Sequence, residues 1–120
     1  MRRDRMTDFC IFCEIVSGRQ PARKVYQDDT VTVFWGIHPQ ARVHLLVVPN
    51  QHIRSLAEAE SADPALLGRC LQVAAKVARE HGLAERGYRL VTNVGPDAGQ
   101  SVFHLHFHLL GGNPLRLPLG

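Results

Sequence analysis

A chain of 120 residues fits one domain, taken here as 1–120, and 45% hydrophobic residues suffice for a small core. The formal charge of +3 comes from scattered basic residues without interleaved aromatics, which argues against a nucleic-acid surface and is compatible with small anionic ligands. No apolar run of about eighteen residues occurs and no apolar stretch follows the first arginines, so neither a membrane span nor a secretory leader is expected, and the chain reads as cytoplasmic.

Residues 1–8, rich in arginine, read as a flexible basic tail. "FCIFCEIVSG" predicts a short helix ended by Gly18, with Pro21 beyond it. "KVYQDD" and "TVTVFWGI" are β-rich runs separated by Asp28 and Asp29, a hairpin signal. "HLLVVPN" predicts a third strand closed by Pro49. Asp63 as cap, Pro64 at the first turn, and Leu66, Leu67, Cys70, Leu71, Ala74, Val77 and Ala78 at three-to-four spacing predict one long helix ending at His81 and Gly82. "YRLVTNVG" and "VFHLHFHLL" predict two more strands joined by "GPDAGQ". Five strands with short connections and one main helix make an α+β fold with an antiparallel sheet. A sheet of this size on one helix leaves an edge or face uncovered, so a homodimer is expected.

Seven histidines occur, and three of them alternate with apolar residues at 104, 106 and 108. Side chains alternate across a strand, so His104, His106 and His108 are expected on one face, with Phe103, Leu105, Phe107 and Leu109 packed against the helix on the other. Imidazoles in this pattern suit a metal site or a catalytic one, in which an imidazole serves as nucleophile, acid or phosphate donor. The strand alone does not choose between them. The loop at 93–101 supplies glycines for close backbone approach and Gln100 and Ser101 as donors. Cys10 and Cys13 form a C-x-x-C. With His52 and one histidine of the strand they would complete four zinc ligands. Cys70 reads as a buried small hydrophobe.

"HLHFHLL" resembles the H-φ-H-φ-H-φ-φ motif of the histidine triad superfamily, φ being apolar. "CIFCEIVSG..PA", "VYQDD", "PQA..H", "PNQHI" and "N.GPDAGQSVFHLHFHLLGG" resemble its nucleotide-binding branch, from about Cys10 to Gly112. The resemblance implies a homodimer with a continuous ten-stranded sheet, with 113–120 as a tail near the dimer interface. It implies a purine nucleotide or nucleotide conjugate as ligand, and hydrolysis of a nucleoside 5′-phosphoramidate or acyl-nucleotide at the α-phosphate. His106 would be the nucleophile, His108 a phosphate donor, and His104, His44 and Ser101 their catalytic neighbours. Phe12, Ile15, Phe34, Gly36, Ile37, Asn93, Gly99, Gln100, Ser101 and Val102 would line the nucleotide site with His106 and His108. Structural zinc would sit on Cys10, Cys13, His52 and His104. Dinucleoside polyphosphate hydrolysis, or a nucleotide-binding regulatory role with incidental turnover, is the alternative.

One stretch departs from that pattern. Where the resemblance leads one to expect an aspartate that accepts the ribose hydroxyls, this chain has Gly36, followed by Ile37, His38 and Pro39. Loss of such a contact costs about 1.5–3 kcal/mol of binding. Either His38 or water takes over the role, or the substrate is a different one, such as a deoxynucleotide.

Overall fold

The structure is a computed structural model that describes residues 9–116. The basic tail at 1–8 and the end of the C-terminal tail, 117–120, lie outside the described residues. Helix α1 (Ile11–Ser17) is followed by strands β1 (Lys24–Gln27), β2 (Val31–Trp35) and β3 (Val43–Pro49), a 3-10 segment at Leu56–Ser61, helix α2 (Pro64–Glu80), β4 (Tyr88–Val91), a short 3-10 turn at Pro96–Ala98, and β5 (Phe107–Gly111). The five strands form one antiparallel sheet in the order β1-β2-β3-β5-β4.

The predicted punctuation is present. Gly18 ends α1 at φ +86°, a conformation that costs a side-chain-bearing residue, and its N–H donates to the Ile15 carbonyl. Asp63 caps α2 by accepting from Ala65 N, with Pro64 in the first turn, where its missing N–H is harmless. The β1–β2 hairpin is tied by Asp28, whose Oδ1 accepts from the backbone of Thr30 and Val31. Its Oδ2 accepts from Tyr26 Oη and from Arg69 of α2. Burial pushes the Asp28 carboxyl up, but these hydrogen bonds outweigh it and hold the group well below the usual carboxylate range.

The sheet separates two cores. On one face α2 packs Cys70, Val73, Ala74 and Val77 against Val31 and Val33 of β2, Leu45 and Val47 of β3, and Leu109 of β5. Cys70 is fully buried, as its place in the helical stripe predicted. Leu71, in the same predicted stripe, is instead half exposed. On the opposite face α1 lays Phe12 and Ile15 on Phe34 and Val48, with Leu46 and Val102 at the margin. The histidines stand on this second face, because they alternate with the residues that face α2.

Strand β5 begins later than the residue pattern predicts. Its ladder starts at Phe107, opposite Val47, and residues 102–106 lie outside it. Leu105 still reaches the α2 core, but Phe103 does not. It is 43% exposed, with the Arg54 guanidinium carbon 4.4 Å above its ring. Alternation holds only where the ladder constrains the backbone, and here the chain is still leaving the loop at 93–101.

Candidate active site and metal centre

Three hydrogen bonds set the protonation of the site: two have a partner that can only donate or only accept, and the direction of the third follows from the first. The Gln40 backbone N–H donates to His44 Nδ1 at 3.0 Å, so neutral His44 carries its proton on Nε2. That Nε2–H lies 2.9 Å from His108 Nδ1 and donates to it, which leaves His108 with its proton on the far nitrogen, Nε2. His106 Nδ1 is 2.7 Å from the His104 carbonyl, which can only accept. Neutral His106 therefore holds its proton on Nδ1 and a lone pair on Nε2. The two imidazoles stand side by side with ring centroids 5.1 Å apart. One presents a lone pair and the other a hydrogen-bond donor, the combination that attack on a phosphorus centre requires.

Burial disfavours the charged form of both rings. It lowers the His106 imidazole from its ordinary value, with the bond to the His104 carbonyl opposing it more weakly. It pushes His108 down to about 4, where charge on His106 and His44 would add to the penalty. His44 is lowered by burial as well. Unfolded imidazoles take up protons below about 6.5, whereas folded His108 resists until about 4, so its contribution to stability is complete above 6.5 and is lost as pH falls through that window. Denaturant titrations at pH 7, 5.5 and 4 are expected to show a loss of about 2–3 kcal/mol that His108→Asn lacks. Equal losses in both chains would contradict this assignment.

Most of the apolar residues named from the sequence come together beside His106. Phe12 meets His106 edge-on at 5.1 Å and Phe34 at 5.3 Å, with Ile15 buried in the same cluster and Val102 at its margin. Gly36 lies against His44, donating its N–H to the His44 carbonyl at 3.0 Å. Ile37 is 87% exposed at the start of the loop after β2. Asn93 and Gly99 belong to the loop between β4 and β5, and Ser101 is exposed at its end. Gln100 is buried and committed to holding that loop. Its amide donates to the Arg54 and Val102 carbonyls at 2.9 and 3.0 Å and accepts from Gly95 N at 2.9 Å. Three positioning groups were not foreseen from the sequence: the Gln40 N–H, the Pro49 carbonyl, and Thr92, whose Oγ1 donates to the His106 carbonyl at 2.7 Å. Two of the three are backbone atoms, which residue type does not reveal.

The first triad histidine faces elsewhere. His104 is fully buried, and its Nε2–H donates to the Pro49 carbonyl at 2.8 Å. Its bare Nδ1 looks towards Cys10 Sγ at 3.3 Å, Cys13 Sγ at 3.6 Å and His52 Nδ1 at 3.3 Å. The four donor atoms lie within 4.8 Å of one another and form a group that could hold a metal ion. The fit is chemical as well as spatial. Two sulfurs and two imidazole nitrogens suit a thiophilic divalent cation, and a metal-binding histidine characteristically donates its other N–H to a carbonyl, as His104 does. Left as a thiol, Cys13 is pushed up to about 12 by burial, helped by its neighbour Cys10. A bound cation would reverse that by stabilising the thiolate. The reading from residues had left open which strand histidine joins Cys10, Cys13 and His52. It is His104, the member that the resemblance implied.

A five-stranded antiparallel sheet with three alternating histidines leading into β5 is the arrangement of a histidine triad protein. The HIT domain family matches residues 17–115, and the chain belongs to that family. It is 46% identical over 110 residues to the purine nucleoside phosphoramidase of Escherichia coli (strain K12), covering 92% of each chain. It is 47% identical over 115 residues to an uncharacterised HIT-like protein of Synechococcus elongatus, covering 96% of this chain and all of the other. Among solved structures, a HIT family hydrolase from Legionella pneumophila superposes with a TM-score of 0.89 at 44% identity, over 93% of this chain and 100% of that one. A HIT family hydrolase from Clostridium thermocellum gives 0.87 at 42% identity, over 92% and 96%.

Proposed function

We infer that the protein is a nucleotide hydrolase, and more finely a purine nucleoside phosphoramidase that works through a nucleotidyl-histidine intermediate. The observation that carries this reading is the bare Nε2 of His106, held by the bond from Nδ1–H to the His104 carbonyl. In the proposed reaction Nε2 attacks the α-phosphorus of a nucleoside 5′-phosphoramidate. A P–N bond to imidazole forms and the P–N bond to the amine breaks. His108 Nε2–H donates to a phosphate oxygen, and the departing amine takes a proton from solvent water, relayed through the Ser101 hydroxyl, as the P–N bond breaks. Water then attacks phosphorus, the bond to His106 breaks, and the nucleoside monophosphate is released with the imidazole regenerated. Fixed donors stabilise the developing charge better than mobile solvent. Ser101, at the end of the loop, is proposed as a further phosphate or leaving-group donor. Similarity to a protein named purine nucleoside phosphoramidase supports the substrate class. Release of AMP from adenosine 5′-phosphoramidate tests the reading. Folded, metal-replete protein that releases none would refute it.

Zinc is the proposed occupant of the Cys10, Cys13, His52 and His104 group. Four protein ligands leave no open position, so zinc there would supply structure and not a reactive water. Reduced cysteines fit the proposed cytoplasmic location. No helix among the described residues is long and apolar enough to cross a membrane. A homodimer is proposed, with strand β4, one of the two edges of the sheet, as its seam. A monomer mass by light scattering would remove that part of the reading.

Gly36 bears on affinity. Its N–H is committed to His44, and a hydrogen side chain offers a ribose nothing. A Cβ there would lie 3.5 Å from the His44 carbonyl oxygen and 3.7 Å from its ring, ordinary contact distances, so the backbone accepts a side chain at this position. The substitution is expected to tighten AMP binding by about tenfold, or about 1.4 kcal/mol, with a smaller gain for dAMP. Unchanged AMP affinity by calorimetry would show that His38 or water already fills the role.

A further inference from the structure

His104 is shared between two sites. Its imidazole Nδ1 points into the Cys10, Cys13 and His52 group, while its carbonyl oxygen, 2.7 Å from His106 Nδ1, holds the neighbouring imidazole in the tautomer described above. Two more restraints run through the same ligands. Phe12, which packs on the His106 ring at 5.1 Å, lies between Cys10 and Cys13 in the chain. The Leu105 N–H donates at 2.6 Å to the carbonyl of Ile53, the residue after His52. Residues 104–106 precede the β5 ladder, so strand pairing does not hold them. What holds His106 in place is therefore largely the backbone and packing around the thiolate–imidazole group, with Thr92 Oγ1 as an outside tie.

We propose that occupancy of the Cys10, Cys13, His52 and His104 group by a thiophilic divalent cation controls the orientation and tautomer of His106, with His104 as the positioning residue that links them. The cation draws helix α1, the turn at His52 and His104 to one point. That fixes the peptide between His104 and Leu105, whose oxygen receives the His106 proton. Without the cation the His104 side chain keeps only its bond to the Pro49 carbonyl, and helix α1 and the turn at His52 are no longer tied to it. The carbonyl then turns, the bond from Nδ1–H weakens, and the proton is shared between the two nitrogens of His106. The cation takes no part in bond breaking. It acts as a switch on the nucleophile, and this inference rests on the reading of His106 as nucleophile.

The test uses the whole chain loaded with one equivalent of zinc, stripped by a chelator and then refilled. Imidazole nitrogen–hydrogen correlation spectra report the His106 tautomer directly. The zinc form is expected to show the Nδ1–H tautomer, the stripped form an average of the two, and the refilled form the first again, with unchanged far-ultraviolet circular dichroism. In parallel kcat for adenosine 5′-phosphoramidate should fall by about tenfold or more on stripping while KM stays within about twofold. Cys13→Ser should reproduce the spectrum of the stripped form. A His106 spectrum indifferent to zinc in a folded chain overturns the proposal. So does a chain that unfolds on stripping, which would make the group a global folding site, and so does a chain that takes up no zinc. A zinc-dependent tautomer in a chain that never hydrolyses the phosphoramidate leaves the coupling standing and refutes the catalytic reading instead.

Discussion

Replacement of His106 by asparagine is expected to lower kcat for adenosine 5′-phosphoramidate by about 10⁴-fold or more, a loss of about 5.5 kcal/mol of transition-state stabilisation. The size follows from the role. A general acid or a phosphate donor is partly replaced by water, but a nucleophile that forms the covalent bond has no substitute once its lone pair is gone. Asparagine keeps what is structural in His106. Its amide can still donate to the His104 carbonyl, and its smaller volume leaves Phe12 on Phe34. The thermal midpoint should therefore move little, and AMP should still bind. His108→Asn is expected to lose less, because in the proposed reaction His108 contributes a hydrogen bond and no bond to phosphorus. The measurement is a pair of steady-state titrations with a rapid-quench search for nucleotidylated wild-type protein. Residual turnover within about tenfold of wild type would end the nucleophile assignment.

The second large effect concerns the strand that carries His108. Leu109 is fully buried, pairs with Leu45 of β3 on one side and Leu90 of β4 on the other, and belongs to the core beneath α2. Truncation to alanine removes its contacts from the middle of the sheet, where flanking strands on both sides limit collapse. Leu109→Ala should cost about 3–4 kcal/mol, and the thermal midpoint should drop by about 10–15 °C for a domain of this size. The same change should harm catalysis at permissive temperature much less than His106→Asn does, because His108 is held by the backbone ladder and by His44, while His106 lies ahead of the strand and is held by the His104 carbonyl. A loss below about 1 kcal/mol in a denaturant titration would mean that this core is looser than its burial implies.

Much of the architecture was legible from local chemistry. Asp63 before Pro64 marked the start of α2, Gly18 the end of α1, and the paired aspartates at 28 and 29 the first hairpin. These features act within a few residues of one another, so residue type and spacing suffice to read them. The thiols at a spacing of three and the alternating histidines were legible as metal or catalytic chemistry for the same reason. The alternation also misled. It placed Phe103 in the core and began the last strand several residues early, because apolar–polar alternation does not report whether a neighbouring strand is present to impose the ladder. Leu71 was misplaced for a related reason, since helical spacing gives a stripe but not the width of the surface that covers it.

The division of labour among the histidines lay beyond the sequence. Residue order determined that three imidazoles would stand near one another on the face away from α2, and that two thiols would lie close together at the start of α1. Which imidazole serves the metal group, which keeps a bare nitrogen and which presents a proton is decided by single atoms brought from far along the chain: the Pro49 carbonyl at His104, the His104 carbonyl at His106, and the Gln40 N–H acting through His44 on His108. Imidazole has two nearly equivalent nitrogens, and only a partner of fixed polarity separates them. Those partners are mostly backbone groups, identical in every residue, so only the folded geometry can assign them.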